Sequence, residues 1–160
     1  MQKTFNTKLE TSVITGSEHP ETTNSPYAAL VEFYNAFNNQ NLDIMTRNWN
    51  NSNEASMSNP LGGIKRGWNE IENVYKKIFN ETAQVYVEYY DYTLLQTDNM
   101  FCTAGRERGF FLSNNNKIEL AIRTSRIYRY NNNRWQQIHH HGSIDNPELL
   151  SQYQLAVSEK

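Results

Sequence analysis

The chain has 160 residues, of which 38% are hydrophobic and 20% charged. This is enough apolar material for one core, and the chain is too short for two well-cored domains. Fifteen Lys and Arg residues against 17 Asp and Glu give a net charge of -2, which excludes a protein held on nucleic acid by bulk charge. No apolar run approaches the roughly 20 residues of a membrane-spanning helix. We therefore expect neither a nucleic-acid nor a membrane partner.

The sequence of the N-terminal segment has neither the features of a targeting signal nor the periodicity of a helix or strand. Residues 1–24 are polar, contain Gly16 and Pro20, lack a continuous apolar stretch and show no sustained periodicity. They predict a flexible N-terminal arm, which leaves residues 25–160 as a single domain. The lone cysteine, Cys102, has no partner for an internal disulfide, so we expect a cytoplasmic protein.

Three helices are predicted in the first half of the domain. Ser25 is a suitable N-cap, and Pro26 suits the first helical position. A second, short helix follows the polar run at 38–41, and a third begins after Gly67. Their apolar positions recur at helical spacing; these are Tyr27, Leu30, Val31, Phe33, Tyr34 and Phe37, then Leu42, Met45 and Trp49, then Trp68, Ile71, Tyr75, Ile78 and Phe79.

From Gln84 onward the apolar period changes to two, which predicts strands. The four strand segments contain VYVEYYDYTLL, MFCTAGRERGFFL, KIELAIRTSRIYRY and RWQQIHHHGS. Turns separate them at 97–99, 113–116 and 131–133, where asparagine tolerates the positive φ that tight turns need. A short C-terminal helix is predicted from Asn146 and Pro147.

Helices followed by an antiparallel meander are typical of an α+β domain. A meander of four long strands twists strongly. We therefore predict a curved antiparallel sheet wrapped around about three helices, forming a cone-shaped domain with a central pocket.

Alternation of side chains along the strands puts several basic and aromatic residues on shared faces. These are Arg106 and Arg108 on the second predicted strand, Arg126 and Tyr128 on the third, and Trp135, His139 and His141 on the fourth. A large aromatic such as Trp135 marks the buried side, and His140 is then expected to face outward. The pattern predicts a basic pocket that binds an anionic, carboxylate-bearing ligand, because arginine holds carboxylates through paired hydrogen bonds.

The histidine run also suggests a metal site, because His139 and His141 point the same way on a strand. No third ligand with a compelling spacing accompanies them, so we predict no metal. GGIKRG lacks the spacing of a phosphate-binding loop, and no nucleophile elbow is present, so we predict no cofactor.

Two segments resemble the nuclear transport factor 2-like superfamily, in particular its SnoaL-like and ketosteroid-isomerase-like branch. They are ALVEFYNAFNNQNLDIMTRNW…SMSNPLGGIKRGWNEIENVYKKIF and TSRIYRYNNNRWQQIHHHGS. The second also resembles the last two strands of the calcium/calmodulin-dependent kinase association domain. The resemblance implies a cone-shaped α+β fold, a pocket between sheet and helices, and a homodimer formed through the outer face of the sheet.

The resemblance also implies site positions. Tyr34 corresponds to the oxyanion-hole tyrosine of ketosteroid isomerase, Asn59 to its general-base aspartate, and Arg126 lies near its protonated carboxylic acid. An amide does not accept a proton at neutral pH, so Asn59 argues against steroid isomerase chemistry. Arg106 and Arg126 correspond to pocket arginines of the kinase association domain, which agrees with a basic pocket.

Two functions stay open at this point. The first is a small-molecule pocket protein with lyase, isomerase or hydrolase chemistry, in which His139 or His141 transfers protons. Tyr34 and Asn59 would orient the ligand, while Arg106 and Arg126 would neutralise it. The second is a non-catalytic ligand-binding or dimerisation module. The remaining ligand-binding candidates are Arg108, Trp49 and Tyr128. Core packing is the alternative for Trp49 and for Tyr34.

Overall fold

Four helices and seven strands lie within residues 6–10, 12–79 and 81–158, which are the residues that the computed structural model describes. In chain order the elements are β1 (Asn6–Glu10), α1 (Pro26–Asn38), α2 (Leu42–Asn48), β2 (Ser56–Ser58), β3 (Lys65–Arg66), α3 (Trp68–Ile78), β4 (Ala83–Gln96), β5 (Met100–Ser113), β6 (Asn116–Asn131), β7 (Arg134–Ser143) and α4 (Pro147–Ser158).

The predicted helix starts are confirmed. The Ser25 side chain accepts a hydrogen bond of 3.1 Å from the Ala28 amide, which satisfies one of the free N–H groups at the start of α1. Asn41 caps α2 in the same way, through the Ile44 amide at 3.0 Å. Gly67 precedes α3 with a φ of 80°, a conformation that glycine adopts without steric cost.

The sheet is mixed and open, in the order β1-β4-β5-β6-β7-β2-β3. The predicted meander of β4 to β7 is antiparallel throughout, whereas β2 pairs in parallel with β7. The short strands β1, β2 and β3 carry too little periodicity for prediction. The two asparagine turns after β5 and β6 use positive φ as expected, at Asn114, Asn115, Asn132 and Asn133. The α+β fold with a curved sheet is confirmed.

A β-bulge in β7 changes which histidine faces the interior. Ile127 pairs with His139 and Tyr128 with Gln137, so Ile138 has no opposite residue. An extra residue reverses the alternation of side chains from that point onward. Gln137 and His140 are consequently both buried.

The N-terminal segment packs against the domain over its described residues. Residues 1–24 predict a flexible arm, yet Asn6–Glu10 pairs with β4. The backbone of Ile14 exchanges hydrogen bonds of 2.8 and 2.9 Å with Tyr89. Gly16 lies so close to α1 that an added Cβ would be 2.2 Å from the Asn35 nitrogen. Residues 1–5 and 11 of that prediction lie outside the described residues.

The core lies between the concave face of the sheet and the helices. Helix α4 adds a cover at one end: the Tyr153 ring meets Phe111 edge-on at 5.8 Å, and Gln154 donates to the Pro60 carbonyl at 3.0 Å. None of the helices in the described part of the chain has the length and apolar character required to cross a membrane.

Candidate functional site

A small cavity of about 40 Å³ lies between the sheet, the helices and α4. Its polar lining comes from Asn59, Glu107, Arg126 and His140, and much of its wall is apolar. The free space is on the scale of a few water molecules. Four polar side chains therefore converge on one small cavity.

Arg126 is the centre of a buried hydrogen-bond network. Its guanidinium donates to Glu107 at 2.9 Å and to Gln137 at 2.8 Å. The Tyr34 hydroxyl donates to the same Glu107 oxygen at 2.7 Å. The Phe33 ring lies 3.6 Å from the guanidinium carbon, a cation–π contact. Glu107 also accepts a hydrogen bond from Tyr34, and Gln137 also donates to Asn48. The network therefore fixes the position of the guanidinium beside the cavity.

The protonation states of this network follow from its charges. Burial acts to lower the pKa of Arg126, but the interactions with the Tyr34 oxygen and the Glu107 carboxylate outweigh it and raise that pKa. Burial, together with the Glu107 carboxylate, raises the pKa of Tyr34 well above its usual value. Arg126 therefore stays cationic, and Tyr34 stays a neutral hydroxyl that donates to Glu107.

His140 is held as a neutral imidazole with one open nitrogen. Its Nδ1 lies 3.3 Å from the Ser125 carbonyl oxygen, which only accepts hydrogen bonds, so the proton belongs on Nδ1. Burial and then the Arg126 charge lower the pKa of His140 well below 6.5. Among the described side chains and backbone groups, none makes a hydrogen bond to Nε2. This nitrogen is therefore available as a proton acceptor.

Asn59 places an amide at the rim of the cavity. It is half-buried, and its side-chain oxygen accepts a hydrogen bond of 3.1 Å from the Leu61 amide. That bond orients the side chain and leaves the amide N–H groups to act as donors. Asn59 and Arg126 are the predicted ligand-binding residues that do line the cavity.

The structure corrects the prediction for Arg106 and Arg108. They share a face of β5 as expected, but it is the outer face, where both side chains are exposed. Arg106 pairs with Asp91 at 3.1 Å, and Arg108 pairs with Glu88 at 2.6 Å. The inner face of β5 instead contributes Glu107. The sequence pattern does not show which face of β5 points to the interior, because glycine rather than an apolar side chain occupies two inner positions, 105 and 109.

The structure also corrects the prediction for the histidines. The bulge turns His139 and His141 outward and His140 inward, the reverse of simple alternation. The His139 Nδ1 lies 2.8 Å from the Ser56 hydroxyl, and His141 is exposed. Burial and the neighbouring His141 charge lower the pKa of His139. Neither His139 nor His141 borders the cavity.

Three other predicted site residues are buried beside the cavity and do not line it. The Tyr34 hydroxyl donates to Glu107, which lines the cavity. The Trp49 indole donates to the Tyr75 hydroxyl at 3.2 Å, and the Tyr128 hydroxyl donates to the Asn48 side chain at 2.8 Å. Trp49 and Tyr128 are therefore part of the packed core. For Trp49, core packing is the alternative that the sequence left open.

Sequence reasoning missed Glu107 and His140. Glu107 shares its parity on β5 with the buried Phe101 and Phe111, and that pattern could have revealed it. His140 gives no such signal, because the bulge leaves no mark in the sequence. Within the described ranges, no group of three or more His, Cys, Asp and Glu side chains is arranged to hold a metal ion.

Comparison with solved structures shows the same fold in several proteins. A candidate calcium/calmodulin-dependent protein kinase type II association domain from Thiobacillus denitrificans has a TM-score of 0.62 at 20% identity, over 77% of this chain and 97% of that chain. A ketosteroid isomerase-like protein from Erwinia carotovora has a TM-score of 0.63 at 17% identity, over 76% and 94%. A candidate dehydratase of the nuclear transport factor 2-like family from Streptomyces avermitilis has a TM-score of 0.59 at 17% identity, over 72% and 89%.

Family membership comes from the sequence itself. No functionally curated protein matches the chain. The model of the SnoaL-like domain matches residues 27–147, a range that extends from the start of α1 to the start of α4. It includes Asn59, Glu107, Arg126 and His140. The chain therefore belongs to the SnoaL-like domain family.

Proposed function

We propose that the protein binds a small organic molecule in the interior cavity and that His140 accepts a proton from it. The observation that carries this proposal is the neutral His140 imidazole, which shares one cavity with the Arg126 guanidinium. A proton acceptor beside a fixed cation is the arrangement that carbon-acid chemistry needs. The family includes isomerases and dehydratases, and the proposed reaction is of the isomerase or lyase type.

The charges favour a neutral ligand over the anionic one that the sequence predicts. Arg106 and Arg108 lie outside, and Glu107 balances the charge of Arg126. A carboxylate in the cavity would place a further unpaired negative charge in a buried site, which is costly. Two N–H groups of Arg126 donate to Glu107 and Gln137. The guanidinium has further N–H groups that can donate to a ligand. A carbonyl oxygen fits these donors without adding charge.

The proposed step balances within these residues. His140 Nε2 takes a proton from the carbon next to the ligand carbonyl, and the electron pair moves to the carbonyl oxygen. Arg126 and Asn59 stabilise the enolate oxygen that forms. The enolate electron pair then moves back toward carbon. Either a carbon conjugated with the enolate takes the proton from His140, or the bond from the next carbon to a leaving group breaks, and that group departs with the bonding pair and takes the proton from His140. The first outcome is an isomerisation and the second is an elimination.

A non-catalytic ligand-binding module is the second candidate function. The small cavity volume favours it, because about 40 Å³ admits only a very small molecule unless α4 moves. A pocket of this size binds water or a small polar ligand and need not turn it over.

The experiment begins with native mass spectrometry of the purified protein to identify a bound small molecule. The same molecule is then offered to wild type, His140→Asn and the control His19→Asn, which removes an exposed imidazole. We expect His140→Asn to bind the molecule without converting it and His19→Asn to convert it normally. Full turnover by His140→Asn would contradict the proposed step, and binding without turnover in wild type would favour the module.

We also propose that the chain forms a cytoplasmic homodimer through the outer face of the sheet. Support comes from the Tyr86 and Phe110 rings, which stack at 6.0 Å on that face and are only half-buried. Sedimentation equilibrium of wild type and Phe110→Ser tests the dimer: a shift of the variant toward monomer is the expected result, and an unchanged mass contradicts it.

A further inference from the structure

A second concave region lies on the opposite, outer face of the sheet. It is an open groove of about 380 Å³, whose lining includes Ala104, Arg106, Arg123, Ser125 and His141 and also the acidic side chain of Asp91. The groove is therefore separated from the interior cavity by the sheet itself.

Strand register explains why a groove forms here. Ala104, Ser125 and His141 lie opposite one another on β5, β6 and β7. The first two side chains are short, so this row forms a low floor. The next row along the same strands places Arg106 opposite Arg123, and these two long side chains form one wall.

Arg106 and Arg123 carry like charges on neighbouring strands, and a carboxylate beside each arginine balances that charge only in part. Like charges directly opposite each other on neighbouring strands destabilise the pair. Asp91 contacts Arg106 at 3.1 Å and Asp145 contacts Arg123 at 2.7 Å, but all four side chains are more than half exposed. Exposed ion pairs of this kind hold their partners weakly.

Donor capacity remains on both guanidinium groups. Asp91 engages the Nε of Arg106, and Asp145 engages one terminal nitrogen of Arg123, whereas each guanidinium has five N–H donors. The Ser125 hydroxyl and the His141 imidazole border the same space. Such a site offers several donors and two adjacent guanidinium groups to one compact anion, which would compete with the exposed carboxylates of Asp91 and Asp145.

We propose that this groove binds the phosphate group of a small phosphorylated molecule. A doubly charged oxyanion bridges Arg106 and Arg123, relieves their repulsion, and accepts hydrogen bonds from both. A carboxylate carries only one charge and satisfies the pair less well. The remaining groove volume holds a small organic group attached to the phosphate. The site is independent of the proposed interior chemistry. It lies on the same outer face as the proposed dimer contact, but Arg106 is four residues, roughly 13 Å, along β5 from Phe110, so the two proposals use different ends of that face.

The test is isothermal titration calorimetry at low ionic strength with two probes, inorganic phosphate and phenyl phosphate. The protein variants are Arg123→Gln, Arg106→Gln and the control Arg129→Gln. Arg129 lies on the same strand and face as Arg123, roughly 20 Å away along β6, so its variant removes the same charge outside the groove. Circular dichroism and thermal melts verify that each variant is folded.

We expect saturable binding of both probes by wild type and Arg129→Gln, and at least about tenfold weaker binding by each groove variant. Tighter binding of phenyl phosphate than of phosphate identifies a phosphate ester as the ligand, and the opposite order identifies the free ion. Absence of saturable binding in wild type overturns the proposal. Equal weakening by Arg129→Gln and Arg123→Gln also overturns it, because binding would then follow net charge alone.

Discussion

Arg126 and Glu107 form an ion pair of 2.9 Å in which less than a tenth of either side chain is exposed. Their strands are neighbours, and Arg126 lies opposite Thr103 on β5, so the pair spans the inner face diagonally. The guanidinium is thereby fixed beside the cavity while its charge is balanced within the protein.

This pair predicts strong coupling between the two residues. Arg126→Met leaves the Glu107 carboxylate buried without its cation, and we expect a loss of about 3–5 kcal/mol in the free energy of unfolding. The double variant Arg126→Met/Glu107→Met removes both charges and should regain much of that loss. Urea denaturation of the two single variants and the double variant measures the coupling. Additive losses would contradict a coupled pair.

His140 predicts a pH dependence of stability. Burial and Arg126 lower its pKa in the folded state below the 6.5 of a free imidazole, so the unfolded chain binds the proton more tightly. The stabilising contribution is complete above pH 6.5 and falls as the pH drops below it, by about 1.4 kcal/mol per pH unit. The His139 pKa is also lowered and acts with the same sign.

Denaturation curves of wild type, His140→Gln and His19→Gln across this range provide the measurement. We expect a shallower slope for His140→Gln than for wild type, and His19→Gln serves as the control for loss of an exposed imidazole. A His140→Gln profile parallel to that of wild type would show that His140 is not held neutral by the fold.

The asparagine turns predict a selective stability effect. Asn133 has a φ of 61°, which costs a residue with a Cβ about 1–2 kcal/mol unless its side chain is suited to it. Asn133→Ala should therefore lower the free energy of unfolding by about 1 kcal/mol, and Asn133→Gly should leave it nearly unchanged. Chemical denaturation compares the two variants. Equal stability of both would mean that the turn relaxes to negative φ.

Gly142 predicts a packing effect at the site. An added Cβ would lie 3.2 Å from the His140 Nε2 and 3.2 Å from the Pro60 Cδ, closer than atoms normally pack. Gly142→Ala should cost about 1–3 kcal/mol and displace the imidazole. Ser143→Ala, the next residue on β7 with its side chain on the other face, is the control. Histidine NMR shifts and urea denaturation follow both effects, and an unshifted His140 signal in Gly142→Ala would contradict this contact.

Much of the fold follows from patterns that are local in the sequence. Ser25 and Pro26 determine the start of α1, and the turns at Asn114 and Asn132 use the positive φ that favours asparagine. Alternation also places Arg126 correctly, since β6 keeps its register through that residue. These features depend on neighbours only a few positions away, which is why the sequence alone predicts them.

The site depends on features that are not local. The bulge at Ile138 arises from the pairing of β7 with β6, and no residue type at this position predicts it. On β5 the inner positions include Gly105, where a Cβ would lie 2.5 Å from the Tyr92 Cβ. Close packing of the adjacent strand thus requires glycine and weakens the apolar signal of the inner face, which remains only toward the ends of β5, at Phe101 and Phe111. Glu107 and His140 were missed for these two reasons.

Helix α4 has a kinetic consequence. Tyr153 borders the cavity and Gln154 ties the helix to Pro60. Because the free space is only about 40 Å³, we expect a molecule larger than a few waters to enter only when this end of the domain opens. Association is then governed by an opening step, and its observed rate constant should level off at high ligand concentration instead of rising in proportion to it. Loss of the Gln154 hydrogen bond would raise that plateau, so the C-terminal helix sets how fast the interior exchanges its contents with solvent.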